Sequence, residues 1–408
     1  MTATITFFPV GNGDMTLITL TDASETKILV DCNIRDAADD PDDDTRDVAK
    51  DLRARLKRDA KGRPYVDAFL LSHPDQDHCN GLPEHFHLGD PADYPDDKKP
   101  DAEKRIFIRE LWSSPMVFRR ASNEHTLCDD AKAFNAEAKR RVKVNRDKAF
   151  TGIDAGNRIL ILGEDEDGKT DDLKSILVPV DTTFTRINGS YNQCFEARLL
   201  APLSKSDDDT EDTLSKNHSS TILNMALAAN PTRAVVRQFL TGGDAEVAIW
   251  ERLWDKHHRN PSVLEYDLLQ SPHHCSWHSL SYDSWSELHE DAEVSQDARS
   301  ALSQIRSSGI IVASSDEINN DDNDPPCWGA KLEYEAIATG ADGSFLCTGE
   351  HPTVDAPAPL EFSISEQGLA RVVRKTAAPG SLLRPAAAAS AFAFPNKPVV
   401  PNKPAGFA

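Results

Sequence analysis

The first thirty-one residues alternate between apolar and polar positions as β-strands do. An apolar stretch at residues 4–10 is followed by a Gly-Asn-Gly-Asp turn and a second apolar stretch at 15–20. A third stretch, residues 27–31, ends on Asp31. Alternation with a period of two around a short glycine turn predicts a hairpin that leads into a buried strand.

Downstream, the apolar positions follow a helical period and then return to short strands. Val48, Leu52 and Leu56 share one face of a predicted helix over 47–58, and residues 68–71 form an apolar run. Further elements are predicted as strands at 159–162, 195–200, 220–225, 234–240, 264–269 and 309–313, a helix after Asp244, and a terminal hairpin over 333–375. This alternation predicts a mixed α/β domain over residues 1–376.

Two parts of the chain lie outside that pattern. Residues 90–175 begin with a charged, Pro-rich stretch and predict an insertion of helix and loop. From Ala377 the chain is rich in Ala and Pro, and Pro-Asn-Lys-Pro occurs at both 395–398 and 401–404. Such a composition buries too little apolar surface to offset the entropy of ordering. We therefore expect residues 377–408 to be a flexible tail. The alternative is that this tail, or the insertion, docks a protein partner.

The charge of the chain limits its partners. A formal net charge of −22 over 408 residues argues against binding nucleic acid through the whole surface, because affinity for polyanions comes mainly from neutralising phosphates. The most basic stretch is residues 139–146. There Lys139, Arg140, Arg141 and Lys143 either contact nucleic acid locally or belong to a solvated helix face.

The sequence shows neither a membrane span nor a recognisable signal segment, and its cysteines are scattered. No apolar run approaches the ~20 residues of a membrane span, and the N-terminus reads as a strand, so we expect a cytoplasmic protein without membrane association. The seven cysteines include no CxxC pair, which disfavours a zinc knuckle or a disulfide framework. Cys79 and Cys275 lie beside candidate ligands, and we expect both to be buried spectators.

Histidine and aspartate residues cluster where the predicted strands end. Residues 73–78 read His-Pro-Asp-Gln-Asp-His, and Asp244 closes a Leu-Thr-Gly-Gly-Asp segment. Others with the same chemistry are Asp14, Asp31, Asn217, His218, His273 and His274. Imidazole and carboxylate groups are the donors that divalent metals take, and turns that leave neighbouring strands can converge on one ion. The sequence therefore predicts a metal-dependent site.

The same segments resemble the metallo-β-lactamase superfamily. The resemblance lies in the HxDxDH run at 73–78, in Leu-Thr-Gly-Gly-Asp and in Pro-His-His-Cys-Ser at 272–276. The opening Val-Gly-Asn-Gly-Asp at 10–14 and the Asn-x-x-Ser element at 217–223 are similar to the branch related to the hydrolase domain of the competence protein ComEC. This resemblance implies a four-layer αββα sandwich with metal ions at one edge.

The resemblance also implies two divalent metal ions, zinc or manganese, with magnesium as a further option. The ligands that it implies are His73, Asp75 and, as a third ligand, His218 for the first ion; Asp77, His78 and His274 for the second; and Asp244 between them. Histidine is usual in the family where this chain has Asp75. A carboxylate there makes the site harder, which favours manganese or magnesium relative to zinc.

Further roles can be assigned around these ligands. Asp77 can orient the metal-activated water as well as bind metal. His278 is either a proton donor to the leaving group or a surface residue. Residues expected to surround the ligands rather than bind metal are Asp14, Asp31, Asn217 and His273.

Three functions remain open at this point. The first is a metal-dependent phosphodiesterase, in particular a nuclease acting on DNA or RNA, which the ComEC-like resemblance favours. The second is a hydrolase of the same fold that acts on a small molecule, a nucleotide or a thioester, which the acidic composition fits better. The third is a scaffold subunit with little or no activity in a multi-protein system, such as a defence system.

Overall fold

The chain folds into two large β-sheets with helices on their outer faces. The computed structural model describes residues 2–40, 43–124, 126–204, 214 and 217–372. In chain order the strands are β1 (Ala3–Phe7), β2 (Thr16–Thr19), β3 (Lys27–Val30), β4 (Cys32–Asn33), β5 (Lys57–Arg58), β6 (Pro64–Leu70), β7 (Phe86–His87), β8 (Ile106–Ser113), β9 (Arg158–Leu162), β10 (Leu177–Val178), β11 (Thr183–Phe184), β12 (Arg186–Ile187), β13 (Ser190–Tyr191), β14 (Phe195–Ala201), β15 (Ile222–Ala228), β16 (Val236–Leu240), β17 (Tyr266–Gln270), β18 (Ile305–Ala313), β19 (Ser344–Cys347), β20 (Leu360–Ser365) and β21 (Gly368–Arg371). The α-helices are α1 (Val48–Arg53), α2 (Gln76–Cys79), α3 (Leu82–His85), α4 (Pro115–Glu124), α5 (Asp129–Asp147), α6 (Val247–His257), α7 (Trp285–Leu288), α8 (Gln296–Leu302) and α9 (Trp328–Gly340).

The strands form two main sheets. The larger sheet has the order β10-β9-β8-β6-β3-β2-β1-β20-β21, and short β5 and β7 pair with β6 and β8. The second sheet has the order β11-β14-β15-β16-β17-β18-β19, while β12 and β13 pair with each other. Strand β1 lies antiparallel to both β2 and β20, so an early hairpin and a late hairpin share one sheet.

Apolar side chains divide the molecule into four layers. Between the sheets, the ring of Phe7 packs edge-on against Phe239 with 5.9 Å between centroids. On the outer face of the larger sheet, Phe134 of α5 lies 6.0 Å from Phe69 of β6. Helices α6, α8 and α9 cover the second sheet around the buried Trp250. The order helix, sheet, sheet, helix confirms the predicted αββα sandwich.

Parallel pairing at the centre of both sheets brings several strand ends to one edge. In the larger sheet, β3 and β6 are parallel and Val30 lies opposite Leu70. In the second sheet, β16 and β17 are parallel and Leu240 lies opposite Leu269. Parallel strands end in the same direction, so the segments that follow each pair leave the sheet side by side. These segments carry most of the predicted ligands.

The segment 90–175 is more than the predicted insertion of helix and loop. It contains α4 and α5, but β8 and β9 lie inside the larger sheet. The sequence pattern misses β8 because Arg109 and Glu110 interrupt its apolar run. Inside the fold both charges are satisfied: Arg109 pairs with Asp67 at 2.9 Å, and Glu110 accepts a hydrogen bond from the Trp112 indole at 3.0 Å.

The predicted terminal hairpin over 333–375 is wrong in its first part. Residues 328–340 form α9, whose buried face includes Ala330, Tyr334 and Ile337. That spacing of three and four positions is helical, whereas alternation begins only at β20. The hairpin is confined to β20 and β21, which pair antiparallel.

Within the residues that the structure describes, no helix has the length and apolar character needed to cross a membrane. The predicted tail at 377–408 lies outside the described residues.

Candidate metal centre

The His-Pro-Asp-Gln-Asp-His stretch leaves the end of β6 and turns at once into the short helix α2. Asp75 precedes this helix in an extended conformation, and His78 lies within it. The turn brings the His73 and His78 rings to 4.0 Å between centroids, and both side chains are fully buried. The dense motif therefore forms one half of a histidine cluster.

Asp244 is the residue around which the histidines gather. Its Oδ2 lies 3.3 Å from His73 Nε2. Its Oδ1 lies 3.1 Å from His78 Nε2 and 3.5 Å from His274 Nε2. The Nε2 atoms of His78 and His274 face each other at 3.2 Å. One carboxylate thus contacts imidazoles that follow strands of both sheets.

Asp14 completes a compact group of donors. Donor atoms of Asp14, His78, Asp244 and His274 all lie within 4.8 Å of one another, and the four residues are buried. Asp14 comes from the turn between β1 and β2, and its backbone N–H donates to the Asp77 carbonyl at 3.1 Å. The sequence assigned Asp14 to the surroundings, but its carboxylate lies among the donors themselves.

Asp75 and Asp77 lie at the rim of this group. Asp75 Oδ2 is 3.7 Å from His73 Nε2, and Asp77 Oδ2 is 3.2 Å from His274 Nε2. The Asp77 side chain is 38% exposed, whereas that of Asp244 is 3% exposed. Asp77 is therefore the carboxylate that meets both the cluster and the solvent.

Hydrogen bonds behind the histidines set their orientation. Asp31 Oδ2 accepts from His78 Nδ1 at 2.9 Å, and the Asp31 carboxylate also accepts from the backbone N–H and hydroxyl of Ser72, both at 2.6 Å. The Ser314 carbonyl accepts from His274 Nδ1 at 3.1 Å. Bonds of this kind at Nδ1 leave Nε2 free to point at a metal. Asp31 thus lies behind the histidines together with Ser72 and Ser314, to which the sequence had suggested no role.

The segment after β17 has an unusual backbone. His273, His274 and Cys275 have φ angles of 50°, 52° and 70°. Residues other than glycine adopt this left-handed backbone conformation at a cost of about 1 kcal/mol or more each, and such strain concentrates at functional sites. The turn places His274 inside the donor group and leaves His273 Nε2 3.8 Å from Asp244 Oδ2.

The electrostatics of the cluster centre on Asp244. Burial and His78 both lower the pKa of His73, but Asp244 and Asp75 raise it to about 9. Against the effect of burial, Asp244 holds the pKa of His78 and of His274 well above the ordinary value. Burial would raise the pKa of Asp244, yet the surrounding histidines hold it well below its usual range. The negative charge of Asp244 thus favours positive charge beside it, which protons on the imidazoles or a bound cation can supply.

The donor set fits a metal ion. Among the described residues, Asp14 Oδ1, His73 Nε2 and Asp244 Oδ1 are buried and receive no hydrogen bond. Leaving such atoms unsatisfied costs roughly 1–3 kcal/mol each. One imidazole nitrogen and two carboxylate oxygens left unpaired in this way are donors that a bound cation would satisfy. The buried Asp and His group can therefore hold a metal ion.

His218 and Asn217 lie beside a residue that the sequence reasoning missed. His218 Nε2 is 3.3 Å from Glu246 Oε2, and the Asn217 amide donates to Glu246 Oε1 at 3.0 Å. His218 does not belong to the buried donor group around Asp244. Glu246 follows Asp244 by two positions, so its place in the sequence could have drawn attention to it. The ligand role of His218 stays a prediction.

His278 lies on the next turn after His274. Its side chain is 46% exposed, and Nε2 is 3.9 Å from Asp324 Oδ2. Asp324 also accepts a hydrogen bond from the backbone N–H of Trp277 at 3.1 Å. The proton-donor role of His278 stays a prediction.

Most basic side chains of the stretch in α5 form ion pairs or hydrogen bonds within the protein. Arg141 is 1% exposed, and its guanidinium donates to Glu137 at 2.6 Å and to two backbone carbonyls. Arg140 pairs with Glu137 at 2.8 Å, and Lys143 pairs with Asp147. Of the four basic residues predicted to meet nucleic acid, Arg141 is excluded by burial and Lys139 is exposed. The prediction of a basic surface made by all four is therefore wrong.

Replacing Glu137 by Gln should destabilise the protein strongly. The amide keeps the shape of the side chain but leaves the buried Arg141 charge without an opposite charge beside it, which costs about 3–5 kcal/mol. Asp147→Asn is the matched control, because it breaks an exposed pair of the same helix and should cost less than about 1 kcal/mol. Urea denaturation with linear extrapolation measures both. Equal effects from the two changes would contradict a structural role for the buried pair.

Comparison with known proteins gives little beyond the structure itself. No family model and no curated protein matches the chain. Among solved structures, the chain is similar to Igni18, described as a novel metallo hydrolase from the hyperthermophilic archaeon Ignicoccus hospitalis KIN4/I. The two share 10% sequence identity with a TM-score of 0.32, over 89% of this chain and 99% of that one. A likeness of this degree carries no conclusion about activity.

The fold and the cluster together define the class of protein. The chain is an αββα sandwich with a buried Asp and His group at the strand ends. Both sheets contribute to this candidate metal centre, which can hold at least one cation.

Proposed function

We propose that the chain is a metal-dependent hydrolase of phosphodiester bonds. The observation that carries this proposal is the contact of Asp244 with three imidazoles, those of His73, His78 and His274, at 3.1–3.5 Å. With Asp75 and Asp77 at the rim, the donor set is rich in carboxylate oxygen. Oxygen donors favour hard cations such as manganese or magnesium, which suit phosphoryl chemistry.

The residues of the chain have separate tasks in this proposal. Divalent ions bound by the cluster would lower the pKa of a water molecule and polarise the phosphoryl group. Asp31 and Ser314 hold the imidazoles of His78 and His274 in place through Nδ1. Asp77 stays ionised, because burial raises its pKa but His78 and His274 lower it further. Its exposed carboxylate can then accept a hydrogen bond from the attacking water.

The charge of the described surface favours a small substrate over a nucleic acid polymer. The net charge is −22, and the most basic stretch is partly buried and paired internally. Along this stretch of α5, a polyanion would therefore not meet the row of free cations that supplies most of its affinity. We propose a nucleotide-sized phosphodiester, with DNA or RNA as the second candidate because the sequence resembles the ComEC-related branch.

The experiment that tests this function uses chelator-treated protein reloaded with manganese, zinc or magnesium. We expect cleavage of bis-p-nitrophenyl phosphate and of a cyclic dinucleotide, and none when chelator is present. Single-stranded DNA and RNA should be cut more slowly than the small substrates. Equal or faster cleavage of a polymer would make the chain a nuclease. Cleavage of a thioester alone, or of nothing under any metal, would contradict the proposal.

A further inference from the structure

Two thiols meet directly beside the candidate metal centre. Cys79 is the last residue of α2 and follows His78, while Cys128 immediately precedes α5. Their Sγ atoms lie 3.6 Å apart. Cys79 is fully buried, and its Sγ lies 3.0 Å from the Asp75 carbonyl oxygen. The two sulfurs are thus already in contact without a bond between them.

Cys128 is the accessible member of this pair. It is half-buried and lines a cavity of about 510 Å³ together with Gln76, Asn80 and Asp130. Its sulfur caps the 19-residue helix α5 and accepts from the Ala131 N–H at 3.4 Å. The hydrogen bond from Cys79 and, against the effect of burial, this backbone N–H lower the pKa of Cys128 to about 6. A thiolate at a helix N-terminus that a small molecule can reach is the reactive form of cysteine.

We propose that Cys128 and Cys79 form an oxidative modification site at which a peroxide produces an intramolecular disulfide. The Cys128 thiolate attacks one peroxide oxygen, which gives a sulfenic acid and releases hydroxide or water. The Cys79 thiol then attacks the Cys128 sulfur, so that the S–S bond forms and the S–O bond breaks with release of water. Two electrons pass from the thiols to the peroxide.

Closing this bond has a mechanical consequence for the cluster. A disulfide needs an S–S distance of about 2.05 Å, so the two sulfurs, which the end of α2 and the N-cap of α5 carry, must approach each other from the observed 3.6 Å. Because His78 and Cys79 are neighbours in α2, this movement shifts a ligand. The disulfide therefore weakens metal binding, a step that rests on the proposed metal centre.

The first test uses the reduced full-length protein, treated with increasing hydrogen peroxide and digested without reductant for mass spectrometry. We expect a linked peptide pair that contains Cys79 and Cys128 and has lost two hydrogens. Cys128→Ser should abolish the linkage while preserving the cap on α5, and Cys194→Ser should leave it intact. An unlinked wild-type protein, or linkage of Cys79 to Cys32 instead, would overturn the proposal. Turnover plays no part in this readout, so the hydrolase function can fail independently.

The second test measures manganese affinity of the reduced and oxidised protein by titration. Disturbing the support of a metal ligand typically costs 10–100-fold in affinity, so we expect at least about tenfold weaker binding after oxidation. Cys128→Ser treated with the same peroxide should keep its affinity. Equal affinity of linked and reduced wild-type protein would overturn the coupling between the disulfide and the site.

Discussion

Asp244→Asn should remove most of the bound metal and lower turnover by more than about 100-fold. Loss of groups that merely support ligands costs 10–100-fold, and Asp244 contacts three imidazoles directly at 3.1–3.5 Å. The amide can no longer supply the negative charge that holds the cation. Elemental analysis of protein purified without chelator, together with initial rates on bis-p-nitrophenyl phosphate, measures both effects.

Asp255→Asn is the matched control for this change. Asp255 lies on α6, the helix that follows Asp244, and its side chain is exposed. This variant should keep its metal and its rate. Wild-type metal content in Asp244→Asn would show that the cluster is not the metal centre.

His274→Ala should lose metal and activity, whereas His273→Ala should keep most of both. The two residues share the same strained turn, but only His274 belongs to the buried donor group. His273 Nε2 is 3.8 Å from Asp244 Oδ2, and the His273 ring lies at the margin of the site. We expect a loss above about 100-fold for His274→Ala and less than about tenfold for His273→Ala.

This pair of variants controls for folding, because both remove an imidazole from adjacent positions of one turn. Metal content and rate should be measured on samples whose urea unfolding curves agree with the wild type. The opposite ranking would mean that the turn rearranges when metal binds and that His273 is the ligand.

Local patterns in the sequence predicted much of the centre. Residues 73–78 contain four donor-type residues, so this part of the centre can be recognised from sequence without knowledge of the fold. Parallel strands then bring Asp244 and His274 close to these residues. Local sequence patterns could not place Asp14 among the donors. Its place among the donors depends on how the β1–β2 turn packs against the backbone of Asp77, which is a long-range contact.

The missed strand β8 and the wrongly predicted basic surface have a common physical origin in charged residues that the interior satisfies. Glu110 hides β8 in the sequence, yet its carboxylate accepts bonds from an indole and from two backbone N–H groups. Arg141 reads as a surface cation, yet Glu137 and backbone carbonyls surround it. A hydropathy pattern predicts that such residues are exposed, because it contains no information on whether the interior offers a partner for each charge.

The candidate metal centre also lies at the interface between the two sheets. His73 and His78 follow a strand of the larger sheet, while Asp244 and His274 follow strands of the second. A cation bound by both pairs would cross-link the two sheets. A ligand that binds only the folded state adds about 2.7 kcal/mol of stability at a free concentration 100 times its Kd. Metal supply would then govern how long the protein persists in the cell, through its susceptibility to unfolding and proteolysis, as well as how fast it works.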